Sequence, residues 1–152
     1  MKKKTTSILA LVGAILLLCT FSVSVFAARY TDYQDNTSDP TFRVRASLQG
    51  DVFSDANFFR RVFATTRFDA TAVSPTYTQL DLTVMIRGTK LDDVPYVEAF
   101  DVPIGSYITT NDVYLDRNDN VFYLTGEHTA GVFGSTISFN PPGTHIQADS
   151  PD

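Results

Sequence analysis

The stretch TQLDLTVMIRG, residues 78–88, decides the fold class of this chain. Large aliphatic side chains recur in it at every second position from residue 80 to residue 86. Successive side chains of a β-strand point to opposite faces, so this period predicts a strand with one buried and one solvated face. The stretch TFRVRASLQ, residues 41–49, repeats the pattern. The apolar positions of the two stretches are Phe42, Val44, Ala46, Leu48, Leu80, Leu82, Val84 and Ile86.

The remainder of residues 41–140 has the same character. Residues 61–73 are rich in β-branched and aromatic residues, which favour strands, and turn-forming residues separate the apolar segments. We therefore predict one all-β domain over residues 41–140, a two-sheet antiparallel sandwich of seven or eight strands with Greek-key connections, Ig-like or jelly-roll-like in type. A helical turn capped by Ser54 is the alternative at the start of residues 54–63.

The first 27 residues have the organisation of a secretory signal peptide. Residues 2–4 are lysines, residues 8–19 are apolar, and small residues precede a cleavage site between Ala27 and Ala28. We expect cleavage there and export of the mature chain as a secreted, extracellular protein. An uncleaved membrane anchor is the alternative, because residues 5–28 carry no charge.

The mature chain is acidic. Removal of residues 1–27 takes three lysines from the 12 basic residues and none of the 17 acidic residues, which leaves a formal charge of −8. This charge argues against nucleic acid and against an anionic membrane surface as partners. The mature chain also lacks cysteine, which excludes disulfides and thiol chemistry. A lysine-rich leader before a cysteine-free chain is typical of Gram-positive bacterial secretion.

Two polar segments flank the predicted domain. Residues 28–40 show no apolar periodicity and end in Pro40, which indicates a flexible N-terminal arm. Residues 141–152 begin with two prolines, which cannot donate to a strand ladder, and contain few apolar residues. They are therefore predicted to form a Pro-rich polar C-terminal tail.

Residues 116–127, DRNDNVFYLTGE, support two interpretations. Oxygen-bearing side chains stand at the first, third, fifth and twelfth positions, as in a calcium loop. The sixth position is Val121, where the sharp turn of such a loop requires glycine. We therefore favour a β-hairpin whose turn is residues 117–120, with weak calcium binding as the alternative and no other cofactor. The candidate calcium ligands are Asp116, Asn118, Asn120 and Glu127.

The predicted hairpin would place two tyrosines side by side. With a four-residue turn, Tyr114 opposes Tyr123, and opposed residues of an antiparallel pair share a face. Tyrosine rings stack on sugars or apolar groups while their hydroxyls stay hydrated. The pair is therefore a candidate ligand-binding surface, which Tyr96 and Tyr107 could extend. A purely stabilising aromatic pair is the alternative.

Arginines provide a second candidate surface. Residues 28–90 carry a net charge of +1 and residues 91–152 a net charge of −9. Arg43 and Arg45 share the polar face of one predicted strand and could bind an acidic partner, including the acidic half of another copy. Cross-strand ion pairs with carboxylates such as Asp69 and Asp81 are the alternative.

Candidates for catalysis are sparse. Glu127 and His128 are adjacent, and adjacent strand residues point apart, which makes them a poor pair for acid–base chemistry. The sequence therefore predicts a secreted, non-enzymatic extracellular module that binds a protein or a cell-envelope glycan, and neither nucleic acid nor membrane. The alternatives are a small secreted hydrolase centred on Glu127 and His128, and a structural subunit that self-associates on a surface.

Overall fold

The computed structural model describes residues 26–36, 38–53, 58–88, 95–115 and 121–148, with residues 26 and 27 described by their backbone alone. Within these ranges the chain forms nine β-strands, and no helix of the length and apolar character needed to cross a membrane is present. The strands are β1 (Phe26–Asp35), β2 (Phe42–Phe53), β3 (Arg61–Ala70), β4 (Gln79–Gly88), β5 (Tyr96–Pro103), β6 (Tyr107–Thr109), β7 (Val113–Tyr114), β8 (Tyr123–Gly131) and β9 (Thr144–Gln147).

The strands form two sheets in which every pairing is antiparallel. Sheet A has the order β1-β2-β3-β6, and β7 pairs with β3 at the same edge as β6. Sheet B has the order β5-β4-β8-β9. The chain crosses between the sheets after β3, β5 and β7. The predicted all-β architecture of two antiparallel sheets is confirmed, with nine described strands instead of seven or eight.

The core lies between the sheets and is built from the inward positions of the two deciding stretches. The inward-facing residues of β2 from Phe42 to Leu48 and those of β4 from Leu80 to Ile86 are at most 1% exposed. Phe42 joins the two sheets, because its ring meets that of Phe68 at 5.5 Å and that of Phe139 at 4.8 Å, both edge-on. Burial of each such side chain stabilises the fold by roughly 1.5–3 kcal/mol.

A strand lies within each of the two segments that were predicted as an N-terminal arm and a C-terminal tail. Residues 28–35 belong to β1 and pair with β2, while Thr144–Gln147 forms β9 and pairs with β8. The two strands close the same side of the protein, where the Asp32 carboxylate accepts a hydrogen bond from the backbone N–H of His145 at 2.9 Å. Strands at the edge of a sheet contribute few large side chains to the core, so the period of apolar residues is weak in their sequence.

The hairpin predicted across residues 113–124 is not formed. Tyr114 pairs with Arg61 in sheet A, whereas Tyr123 pairs with Gln147 in sheet B. Leu115 and Leu124 are buried as the hairpin register required, but each enters the core from its own side. The predicted turn, residues 117–120, and the candidate helical turn at Ser54 lie outside the described residues.

Candidate binding face

The outer face of sheet A consists of the side chains that strand alternation directs away from the core. Three tyrosines stand on it, Tyr33 in β1, Tyr107 in β6 and Tyr114 in β7, and they are 61%, 62% and 70% exposed. The remaining members are mostly polar or charged. The outward residues are Arg29, Thr31, Tyr33, Asp35, Arg43, Arg45, Ser47, Gln49, Asp51, Phe53, Arg61, Phe63, Thr65, Arg67, Asp69, Tyr107, Thr109 and Tyr114.

Arg43 and Arg45 lie on this face as predicted from the sequence, and both are paired with carboxylates. Arg45 donates from Nε and Nη2 to both oxygens of Asp35, each at 2.8 Å. This bidentate bond lowers the pKa of Asp35, because it favours the ionised carboxylate. Arg43 and Arg67 converge on Asp69 at 3.3 and 2.8 Å. The two aspartates offset the repulsion between Arg45 and Arg67, which are directly opposed in the register.

Asp51 binds two arginines at the end of the face that is opposite to Arg43 and Arg45. Asp51 is completely buried, although the strand alternation directs its side chain outward. Arg29 donates to both of its oxygens at 2.7 and 3.2 Å, and Arg61 lies 3.6 Å from the same carboxylate. Arg61 also contacts Asp112 at 3.1 Å. A buried carboxylate needs such partners, because moving it out of water without a partner would cost several kcal/mol.

One row of the face carries an aromatic ring and four hydroxyl groups. The register aligns Tyr33, Ser47, Thr65 and Thr109 across four adjacent strands. The Thr65 hydroxyl donates to that of Thr109 at 3.0 Å, and Thr109 donates to the carbonyl of Ala64 at 3.0 Å. We refer to these four aligned residues as the hydroxyl row. The sheet holds these groups in place: the hydroxyls of Tyr33 and Ser47 can donate and accept hydrogen bonds, whereas those of Thr65 and Thr109, whose protons are already donated, can accept them.

Of the four ligand-binding residues predicted from sequence, three lie on one face, with Tyr114 at the end of Asp51 and the two arginines at the opposite end. Tyr114, Arg43 and Arg45 share the outer face of sheet A. Tyr123 lies on sheet B, where its ring stacks on that of His145 at 6.2 Å and its hydroxyl lies 3.1 Å from Nδ1. The predicted Tyr114–Tyr123 platform is therefore wrong. Tyr33 was missed, because it lies in β1, a segment that the sequence analysis interpreted as an irregular arm.

Among the described residues no arginine pairs with Asp81, in contrast to one of the two pairings considered from sequence. It lies on β4, and its Oδ1 accepts a hydrogen bond from the backbone N–H of Asp101 at 2.9 Å. Asp101 has a φ of 56° where the register of β4 and β5 shifts. Aspartate is among the residues that tolerate this left-handed conformation, and the carboxylate of Asp81 holds the irregularity in place.

Glu127 and His128 point to opposite faces of sheet B. Glu127 is exposed and forms an ion pair with Arg87, whose Nε lies 2.7 Å from Oε1 of the glutamate. His128 is only 4% exposed and points into the core. They cannot therefore act on one substrate as a base and its orienting partner.

His128 completes a hydrogen-bond chain between the two sheets. Its Nδ1 lies 3.0 Å from the hydroxyl of Thr66, which itself donates to the carbonyl of Thr83 at 2.9 Å. Nδ1 must therefore carry the proton, which leaves Nε2 to accept from the hydroxyl of Thr144 at 3.0 Å. Gly126 makes room for the chain, since a Cβ there would collide with Thr144 and His128. Burial lowers the pKa of His128 to about 4.

The candidate calcium ligands are only partly described. Asp116, Asn118 and Asn120 lie outside the described residues, and the fourth, Glu127, is the ion-pair partner of Arg87. In the part of the chain that the structure describes, no group of three or more His, Cys, Asp or Glu side chains is arranged to hold a metal ion.

Fold and face together define a class: an all-β protein of two antiparallel sheets, one of which presents tyrosines among paired arginines and aspartates. Comparison with protein-family models, with curated proteins and with solved structures finds no match for the chain. The chemistry of the face itself therefore has to indicate the function.

Proposed function

We propose that this protein is a secreted, non-catalytic binding module of the extracellular space, and that the outer face of sheet A is its ligand-binding surface. The observation that carries the proposal is the exposure of Tyr33, Tyr107 and Tyr114, each more than 60%, on one face. Tyrosine offers a large contact area with only two rotatable side-chain bonds, and it is enriched where proteins bind ligands.

The paired charges support the same proposal. An arginine already held by a bidentate carboxylate, such as Arg45 by Asp35, keeps its free N–H groups in a fixed orientation. Fixing a flexible side chain on binding costs about 0.5–1.5 kcal/mol, and pre-ordered side chains avoid most of that cost. The face is thus organised before a ligand arrives.

Export is part of the proposal, with a signal peptide cleaved between Ala27 and Ala28. Residues 28–35 keep their pairing with β2 after such a cleavage, and of the paired residues only Phe26 would be lost. A Gram-positive bacterial source and an Ig-like or jelly-roll-like relationship with Greek-key connections belong to the same proposal. A ligand in the extracellular space, protein or glycan, follows from it.

The placement of Glu127 and His128 supports the non-catalytic form of the proposal. A hydrolase centred on both residues would need them to meet at one substrate, and they lie on opposite sides of sheet B. The hydrolase alternative would therefore require one of them to act without the other.

A capture experiment tests the proposed function. The purified protein is immobilised and incubated with culture supernatant and with a cell-envelope fraction, and the retained material is compared with that of two variants. Tyr114→Ala is expected to lose most of the retained material, whereas Tyr96→Ala, at a tyrosine 52% exposed on sheet B, is expected to retain it. Thermal melts confirm that both variants fold. Equal retention by all three proteins contradicts the assignment of the face.

A further inference from the structure

We propose that the ligand of the sheet A outer face is an uncharged, polyhydroxylated glycan. This inference rests on the proposed function, because it names the chemistry of the ligand that the same face would bind. Three observations lead to it: the charge balance of the face, its lack of aliphatic side chains, and the arrangement of its rings and hydroxyl groups.

The face carries a net charge of only +1, because its five arginines are matched by Asp35, Asp51 and Asp69 on the face and by Asp112 beside it. Each of its five arginines has a carboxylate oxygen within 3.3 Å, and four aspartates supply these oxygens. An anionic ligand would have to compete with these aspartates for the same N–H groups. Binding of polyanions depends on a basic surface that releases counterions, and a balanced surface offers little of that driving force. The charge pairing therefore favours an uncharged ligand.

The face also lacks the apolar centre of a protein–protein interface. Among its described outward residues there is no Val, Leu, Ile or Met. Its two phenylalanines, Phe53 and Phe63, are half-buried, and the guanidinium of Arg61 lies 5.6 Å from the centre of the Phe63 ring. Protein interfaces have apolar centres that are depleted of aspartate and serine, and the sheet A face carries both. This composition favours a ligand rich in hydroxyl groups over a protein surface.

The rings and hydroxyls are distributed as an extended sugar chain requires. Neighbouring strands are about 4.8 Å apart, so the hydroxyl row extends roughly 14 Å from Tyr33 to Thr109. Tyr107 lies two residues from Thr109 on the same edge, roughly 7 Å further along β6. An oligosaccharide of several units can therefore stack on two tyrosine rings while its hydroxyls bond to the groups between them.

Affinity electrophoresis tests the inference. The purified protein migrates through native gels containing a neutral polysaccharide (β-glucan, xylan, mannan or galactan) or an anionic one (polygalacturonate or heparin). We expect retardation by at least one neutral polysaccharide, with little change when salt rises from about 50 to about 500 mM, because screening acts on charge and not on stacking. Retardation by the anionic polymers alone, or by none of the polymers, overturns the inference.

Variants connect the binding to the face. Tyr33→Ala and Tyr107→Ala are each expected to weaken binding roughly tenfold, while Tyr33→Phe retains the ring and most of the affinity. Tyr96→Ala on sheet B is the matched control and is expected to bind as the unmodified protein does. Equal weakening by Tyr96→Ala and Tyr33→Ala counts against this site, provided that thermal melts show both variants folded.

The two experiments separate the inference from the proposed function. If the capture experiment depends on Tyr114 and no neutral polysaccharide retards the protein, the binding face stands and the glycan assignment falls. If neither experiment depends on this face, both fall.

Discussion

Acid should destabilise this protein through one buried imidazole, that of His128. Burial lowers its pKa from 6.5 to about 4, and the negative charge of Asp32 opposes this shift only in part. Above pH 6.5 the residue is neutral in the folded and the unfolded chain, so it adds no pH dependence. Between 6.5 and about 4 the unfolded chain binds a proton that the folded chain does not. The free energy of unfolding therefore falls as the pH falls, by at most about 1.4 kcal/mol per pH unit.

Over the whole window the loss amounts to roughly 3 kcal/mol, a large part of the 5–15 kcal/mol typical of a folded domain. Protonation of Nε2 would also remove the acceptor that Thr144 now uses. Lowered pKa values at Asp35 and Asp39 act in a different window, because their stabilisation is lost only as the pH falls below the usual aspartate value of 3.8. The histidine effect can therefore be measured separately.

Urea unfolding at about pH 7, 5.5 and 4.5 measures the slope. His128→Gln retains a donor and an acceptor and cannot titrate, so we expect it to lose most of the pH dependence in this range. His145→Gln, at the exposed histidine of β9, is the control and should keep the slope of the unmodified protein. An unchanged slope in His128→Gln would refute the reasoning, because the pH dependence would then originate elsewhere.

Three further predictions follow from the same structure. Asp51→Asn removes the buried charge between Arg29 and Arg61 and should lower the free energy of unfolding by about 2–3 kcal/mol in urea melts. Asp35→Asn, the control at a more exposed ion pair, should lower it by about 0.5 kcal/mol. Similar losses in the two variants would show that burial of the charge is unimportant. Gly126→Ala should cost about 1–3 kcal/mol by forcing Thr144 and His128 apart, and Gly143→Ala, whose nearest contact would be 3.5 Å, should be nearly neutral. Edman sequencing or intact mass of the exported protein should show Ala28 as the first residue; a chain that retains Lys2 contradicts the cleavage.

The fold could be predicted where a strand lies between two neighbours. β2 and β4 each have a partner strand on both sides, so one whole face of each is buried and the two-residue period is complete. β1 and β9 lie at sheet edges, and few of the positions that they direct inward carry large apolar side chains: Tyr30 packs edge-on against Phe59 at 5.6 Å, and Ile146 is buried between Thr144 and Ala148. Inward positions occupied by polar or small residues do not produce an apolar period, which is why both strands were predicted as irregular.

The predicted hairpin shows a different limit. Burial of Leu115 and Leu124 with exposure of Tyr114 and Tyr123 is consistent with two strands in one sheet. It is equally consistent with two strands in facing sheets, because both arrangements bury the same alternate positions. Sequence alternation therefore determines which face of a strand is buried and leaves its hydrogen-bonded neighbour open.

The binding face combines these two situations. The shared face of Arg43 and Arg45 follows from their spacing of two residues and was predictable. The carboxylate that holds Arg45 comes from Asp35, in a segment whose strand could not be identified from sequence, and the exposed ring of Tyr33 comes from the same segment. The carboxylate and the exposed ring thus reach the face through the long-range pairing of β1 with β2, which the local sequence pattern does not indicate.

The charge distribution has to be interpreted in the same way. Residues 28–90 carry nearly all arginines of the mature chain, which suggested a basic surface for an acidic partner. In the fold, the arginines of sheet A meet aspartates within 3.3 Å, most of them from the same half of the chain. Attraction at a distance depends on the sum of these charges, which is close to zero on this face. Attraction to the acidic half of another copy is correspondingly weak, whereas the fixed donors and acceptors remain available at short range. A surface of this kind selects a ligand by contact geometry, which is the property that recognition of an uncharged glycan requires.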